Sequence, residues 1–179
     1  MSKTGGQPDE PERDVRFDEP ERDVRFDEME RDVRFDEMER DAAIALLQRS
    51  DVGRLAYSLR DQVDIVPVHY VLDDEWLFGR TSPGPKLDKL RRNWWVAFQV
   101  DEVDGPFDWR SVVVKGGFYP LLPGEGPEQA ELYEHAVSSL RAKAPVIFTA
   151  QDPAPFRTVV FGIAIQEITG RSASTVSTA

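Results

Sequence analysis

Residues 79–86 read Gly-Arg-Thr-Ser-Pro-Gly-Pro-Lys, and the residue types gathered there could hold a phosphate. An oxyanion needs backbone N–H groups, positive charge and hydroxyls converging on one point, and the start of a helix supplies the first of these. Pro85 suits a first helical position, Gly84 permits close backbone approach, and Lys86 falls in the first turn. A cation in a first turn opposes the helix dipole unless an anion joins it. Arg80 and Thr81 close the preceding apolar segment and can reach the same spot. The competing reading is an ordinary Pro-Gly connection with a lysine nearby, and these eight residues alone do not choose between the two.

Other chemistry is scarce. The chain has no cysteine and only two histidines, His69 and His135, which excludes thiolate nucleophiles, disulfides, iron–sulfur clusters and cysteine-based zinc sites. There is no HExxH, no GxSxG and no paired-histidine spacing, so no metal site is expected. His135 lies in an amphipathic helical segment and reads as a surface or partly buried residue. His69 alternates with Val68 and Tyr70 in a strand, either as a packed histidine or as a group at the edge of a cofactor ring. Trp109 and Ser111 open another strand; the ring either fills a barrel end or interface or stacks on a flat ligand, and the serine faces solvent unless a ligand covers it. With so few acid–base groups, redox or transfer chemistry has to come from a cofactor.

The segments that must position these residues are mostly short strands. VGRLAYSL, VDIVPVHYVL, EWLFGR, WVAFQVDEV, SVVVKGGFYPL and FRTVVFGIAIQEIT are β-branched or aromatic and are punctuated by Asp, Gly and Pro. Helical spacing appears in three places: from Glu39, with Ala42, Ala43, Ala45, Leu46 and Leu47 on one side; in PKLDKLRRN; and from about Glu128 to Lys143. Six strands with short connections and few helices predict a mainly β protein, a closed or nearly closed antiparallel barrel.

The 179 residues, 40% of them hydrophobic, suffice for one domain plus a tail. A nonapeptide repeats at the amino end: PERDVRFDE twice, MERDVRFDE once, then MERDAAIAL. An odd period of nine throws successive Val15, Val24 and Val33 onto opposite sides in helix or strand, and two apolar residues in nine cannot offset the ordering entropy. Residues 1–38 are therefore expected to be an acidic repeat tail, disordered or fraying helix, ahead of a domain over 39–172 and a disordered C-terminal tail at 173–179; a partner-binding tail anchored by Val and Phe is the functional alternative. Residues 1–41 hold 16 acids and 8 bases, which leaves the body near −3 of the total −11. A negative field disfavours nucleic acid and anionic membrane as partners, and no apolar run nears the roughly 20 residues that span a bilayer. A soluble cytoplasmic protein is the expectation.

The order VGRLAY, VPVHYVLDDEWLFGRTSPGPKLDKL, VAFQVDEVD, WRSVVVKG and a near-terminal ITGR resembles the flavin-nucleotide-binding branch of the pyridoxamine 5'-phosphate oxidase-like superfamily, with nitroimidazole reductase-like proteins in its neighbourhood. The resemblance covers about residues 39–172 and implies a six-stranded split barrel, a homodimer, and FMN bound at the dimer interface. By position it implies Arg80, Thr81, Ser82 and Lys86 around the phosphate. It implies that the strand of Pro67, Val68, His69 and Tyr70 passes under the isoalloxazine and offers backbone groups, and that Trp109 and Ser111 flank the ring or ribityl chain. His69 stands where many relatives carry a small polar residue such as Asn, and is the one candidate catalytic residue. The ending SASTVSTA lacks the arginine-rich terminus of true pyridoxamine phosphate oxidases, so that activity is not expected. The resemblance thus implies an FMN-dependent oxidoreductase that passes a hydride through flavin N5 to a small substrate. The alternatives are a flavin-binding module without turnover, or the same fold holding deazaflavin or haem.

Overall fold

The computed structural model describes residues 33–124 and 126–175. Strand β1 (Val33–Glu37) and helix α1 (Arg40–Arg49) lead into β2 (Val52–Leu59), β3 (Gln62–Asp73) and β4 (Trp76–Thr81). Helix α2 (Pro85–Arg92) precedes β5 (Trp95–Gly105) and β6 (Asp108–Leu121), and helix α3 (Pro127–Lys143) precedes β7 (Val159–Thr175). All pairings are antiparallel in the order β1-β7-β4-β3-β2-β5-β6, and β6 also pairs with β7. Strands β2 to β7 therefore close into a ring of six, as expected of a split barrel, and β1 is a seventh strand outside the ring.

Period-two alternation builds the inside of the ring. Leu55, Val68, Tyr70, Leu77, Phe98, Val112, Val114 and Ile163 are buried there, and α1 adds Ala43, Leu46 and Leu47 while α2 adds Leu87 and Leu90. The outer side of β4 is not left to water. Phe78 and Val160 pack with Leu121 and with Ala136, Val137 and Leu140 of α3, making a second core between helix and barrel. At Lys115/Gly116 the β6–β7 register shifts, and a Cβ on Gly116 would stand 2.0 Å from the Ala164 carbonyl oxygen; only glycine lets the strands approach there.

The chain's ends depart from expectation. Val33–Glu37, placed by the sequence in the tail before residue 39, pair with Glu37↔Arg171 through Val33↔Thr175, so the strand pair also includes 173–175. The reason is backbone pairing, which an apolar count does not see. β7 runs beyond its partner β4, whose last pair is Trp76↔Ala164, and β1 takes the unpaired edge, followed by Met38 N–H donating to the Gly170 carbonyl at 2.9 Å. Residues 1–32 and 176–179, with the earlier repeat copies, lie outside the described residues. The last strand begins at Val159, so Phe156 and Arg157, read above as part of it, lie in the loop before it. Among the described residues no helix is long and apolar enough to cross a membrane.

Candidate functional site

Strand β3 changes neighbours along its length. Gln62 to His69 pair with β2, whereas β4 pairs only with Tyr70 to Asp73, so one edge of the first half of β3 carries no strand among the described residues. The two-residue hairpin at Arg60-Asp61, with Arg60 at φ 56°, makes Leu59↔Gln62 its closing hydrogen-bonded pair. Alternation then turns the main-chain groups of Val63, Ile65 and Pro67 away from β2. Pro67, which has no N–H, sits where the ladder loses no donor. The exposed edge thus offers the N–H groups of Val63 and Ile65 and the carbonyls of Val63, Ile65 and Pro67.

Side chains divide by the same parity. Pro67 and His69 face outward and are exposed, while Val68 and Tyr70 are buried inside the barrel and offer a ligand only their backbone. The Tyr70 hydroxyl donates to the Leu47 carbonyl at 2.6 Å, and burial raises the phenol's pKa well above its usual value. His69 makes no side-chain hydrogen bond among the described residues, and it lines a cavity of about 460 Å³ with Arg80, Lys143, Ile147, Pro153 and Arg157.

The GRTSPGPK segment ends β4 and starts α2. Pro85 is the first helical residue, and Gly84 at the cap has φ +151°, in the region glycine alone adopts freely. Thr81 is buried, Ser82 is half-buried in the connection, and Lys86 Nζ donates to Thr81 Oγ1 at 2.5 Å. Lys86 has no acidic partner among the described residues; burial first, and the Arg157 cation second, push its pKa down. The β4–β7 register explains that proximity. Thr81 pairs with Val159, so Arg157, two residues earlier, stands beyond the strand pair where the chain turns into α2.

Arg80 is engaged differently from a free phosphate ligand. Its two terminal nitrogens form a fork with Asp152, Nη2 to Oδ1 at 2.7 Å and Nη1 to Oδ2, and the two side chains are 9% and 3% exposed. Asp152 also accepts the backbone N–H groups of Phe148 and Ala154, each at 2.8 Å. The Arg80 hydrogen bond leads in holding that carboxyl well below the usual carboxylate range. Phe148 adopts φ 59°, rare for a bulky side chain, and its ring lies under the Arg80 and Arg141 guanidinium groups at 5.3 and 5.7 Å. Asp152 and Arg157 were not singled out in the sequence. Asp-Pro-Ala-Pro is a turn signature, but nothing local reveals a partner 72 positions away.

Trp109 and Ser111 are not brought to the GRTSPGPK segment. Their β7 partners, Ala173 and Arg171, are 12 to 14 residues from Val159, about 40 Å or more of strand. Ser111 instead accepts from Gln99 Nε2 at 3.0 Å on the outer face of β6, and the Trp109 ring lies 6.3 Å from Phe35 of β1. Ser111 pairs with Asp101 while Pro67 pairs with Arg54 and Arg54 with Gln99, so on that outer face Ser111 is three strands and two residues away from Pro67, about 16 Å. His135 sits on α3 near the edge of Phe78, with Nε2 3.2 Å from Asp73.

A closed ring of six antiparallel strands, with one strand edge left unpaired and a lysine at the start of the helix that follows β4, defines a split-barrel domain. A sequence model described as pyridoxamine 5'-phosphate oxidase matches residues 39–172, and the chain belongs to that family. A crystal structure described as a FAD-binding protein from Mesorhizobium loti is 30% identical, with a TM-score of 0.62 over 79% of this chain and 99% of that one. A conserved protein of unknown function from Corynebacterium diphtheriae is 26% identical, with a TM-score of 0.59 over 79% and 98%. An uncharacterized protein of Rhizobium meliloti is 36% identical over 93 residues, 52% of this chain; the match spans 60% of that relative's length.

Proposed function

We propose that the chain binds FMN at the β3–β4 split and serves as a flavin-dependent oxidoreductase acting on a small molecule, as a cytoplasmic homodimer. One observation carries this reading. Lys86, half-buried at a helix start and bonded to the buried Thr81, lacks an acidic partner among the described residues, and Lys89 of the same helix reaches Asp64 on β3, whose edge has unused backbone donors and acceptors. A phosphate meets the first need, and the polar edge of an isoalloxazine meets the second. The 30% identical relative described as FAD-binding supports a flavin.

Lys86, Thr81 and Ser82 would hold the phosphate, the Val63–Pro67 edge would orient the ring, and outward-facing His69 would stand beside it as the candidate proton carrier. When bound, the flavin supplies hydride acceptance and delivery at N5, chemistry no side chain here can perform. Trp109 and Ser111 would reach the ring only from a second copy or across the outer face, and the exposed Val63 and Ile65 give a second copy an apolar surface to cover.

A second reading, a flavin-binding module without turnover, has its own observation. Of the described residues that line the cavity, Asp51 is paired with Lys143, Arg80 with Asp152 and the Tyr70 hydroxyl with the Leu47 carbonyl, and His69 has no such partner. Purified protein titrated with FMN and then mixed anaerobically with NADPH tests both. Quenched flavin fluorescence followed by bleaching near 450 nm is expected; bound but unreduced flavin would favour the module, and no flavin bound after FMN addition would refute both.

A further inference from the structure

Two cations stand together where Lys86 meets the loop before β7, and only one belongs to the recognisable motif. Arg157 lines the cavity with Arg80 and His69 and sits within electrostatic reach of Lys86, yet neither Arg157 nor Lys86 has an acid to neutralise it among the described residues. Like charges within electrostatic reach of each other in a half-buried setting cost free energy unless an anion bridges them, and the Thr81↔Val159 register is what brings these two to the same end of the strand pair. Arg80 is in the opposite position. Both ends of its guanidinium grip Asp152, which also receives the Phe148 and Ala154 N–H groups. The Arg80 fork is therefore the pin of the loop from Val146 to Arg157, the loop that brings Arg157 to Thr81 and Lys86.

We infer that Arg157 is a phosphate-binding residue of this site, and that Arg80 is a positioning residue that acts through Asp152 to hold the Arg157 loop in place. The inference rests on the reading that the site takes a flavin phosphate, and it changes which side chains do the binding. Lys86 and Arg157 close on the anion from α2 and from the β7 loop, Thr81 lies beneath them, and Arg80 fixes the frame. A guanidinium supplied from a loop offers a bidentate fork that a lysine cannot. Loss of the pin frees the loop and moves Arg157 without touching the ligand.

The test compares FMN with riboflavin, which has the same ring and no phosphate, by fluorescence titration of the full chain, together with amide hydrogen exchange on flavin-free protein. Arg157→Gln should weaken FMN about 10- to 100-fold and leave riboflavin affinity within twofold. Asp152→Asn should weaken FMN in the same selective way and speed exchange at the Phe148 and Ala154 amides, whereas Arg157→Gln leaves those amides slow. If Arg157→Gln keeps wild-type FMN affinity while Lys86→Ala loses it, Arg157 is not a ligand although the FMN reading stands. If Asp152→Asn changes neither FMN affinity nor exchange, the positioning role falls, and should that variant not fold, Arg80→Lys takes its place with the same criteria. If the wild type binds no flavin, the FMN reading fails. Inorganic pyrophosphate then decides the rest: a thermal stabilisation lost in Arg157→Gln keeps the anion site, and no stabilisation of the wild type overturns it.

Discussion

Ile65 exposes 65% and Val63 68% of their surfaces on the outward side of β3, beside the unpaired strand edge. In a homodimer built over that edge, Ile65→Lys should break the dimer and leave the subunit folded. Fully burying an aliphatic side chain of this size stabilises by about 1.5–3 kcal/mol, so covering roughly two thirds of Ile65 is worth about 1–2 kcal/mol. A two-fold interface counts each position twice, which gives about 2–4 kcal/mol per dimer, a roughly 30- to 900-fold rise in the dissociation constant before any cost of burying lysine charge. The subunit itself should unfold within about 0.5 kcal/mol of wild type, because the side chain already faces water. Sedimentation equilibrium over a concentration series reads the first quantity and urea unfolding of the monomer reads the second. A dimer of unchanged affinity would show that β3 does not form the interface. A variant destabilised by several kcal/mol would show that Ile65 is buried within the subunit.

Three further expectations concern the fold that carries the site. Phe78→Ala, in the core between α3 and β4, should cost about 3–5 kcal/mol in denaturant unfolding, since Phe78 is fully buried and stacks on Trp76. Gly116→Ala should destabilise by about 1–3 kcal/mol through collision with the Ala164 carbonyl, while Gly105→Ala, with open space at its Cβ, should be near neutral in the same assay. Acid should uncover the Arg80–Asp152 pair. Asp152 titrates below its unfolded value of about 3.9, so its stabilisation is complete above about pH 5 and is lost as pH falls through the carboxylate range toward the folded value. Thermal midpoints measured from pH 6 to pH 2 should fall less steeply in Asp152→Asn; an identical slope would mean that the pair does not titrate with folding.

The barrel was legible because its determinants are local. Alternation marks each strand, and Gly84-Pro85 marks the start of α2, where the structure places a first-turn Lys86. The parity of Val68 and Tyr70 against Pro67 and His69 was also written in the alternation, so which of the four could present a side chain outward was readable. What escaped depends on pairing across long separations. Val33–Glu37 have too few apolar side chains to announce a strand, and they are held by the backbone of residues more than 130 positions away. Arg80 looked like a ligand because its neighbours did; only the fold reveals that Asp152 already occupies its fork. Arg157 carried no motif, and its relevance comes from the register that sets Val159 opposite Thr81.

Strand β1 has a property that follows from its place in the repeats. Its sequence, VRFDE, is the third of three identical pentapeptides spaced nine residues apart, at 15–19, 24–28 and 33–37. Gain or loss of whole nonapeptides therefore lengthens or shortens the leader while delivering the same five residues, at the same distance from α1, to the free edge of β7. A change of any other length next to α1 would present a different pentapeptide, with the side chains that now face outward turned inward at every odd shift. Changes of repeat number in steps of nine thus keep the sequence and the register of β1, and changes of other lengths do not.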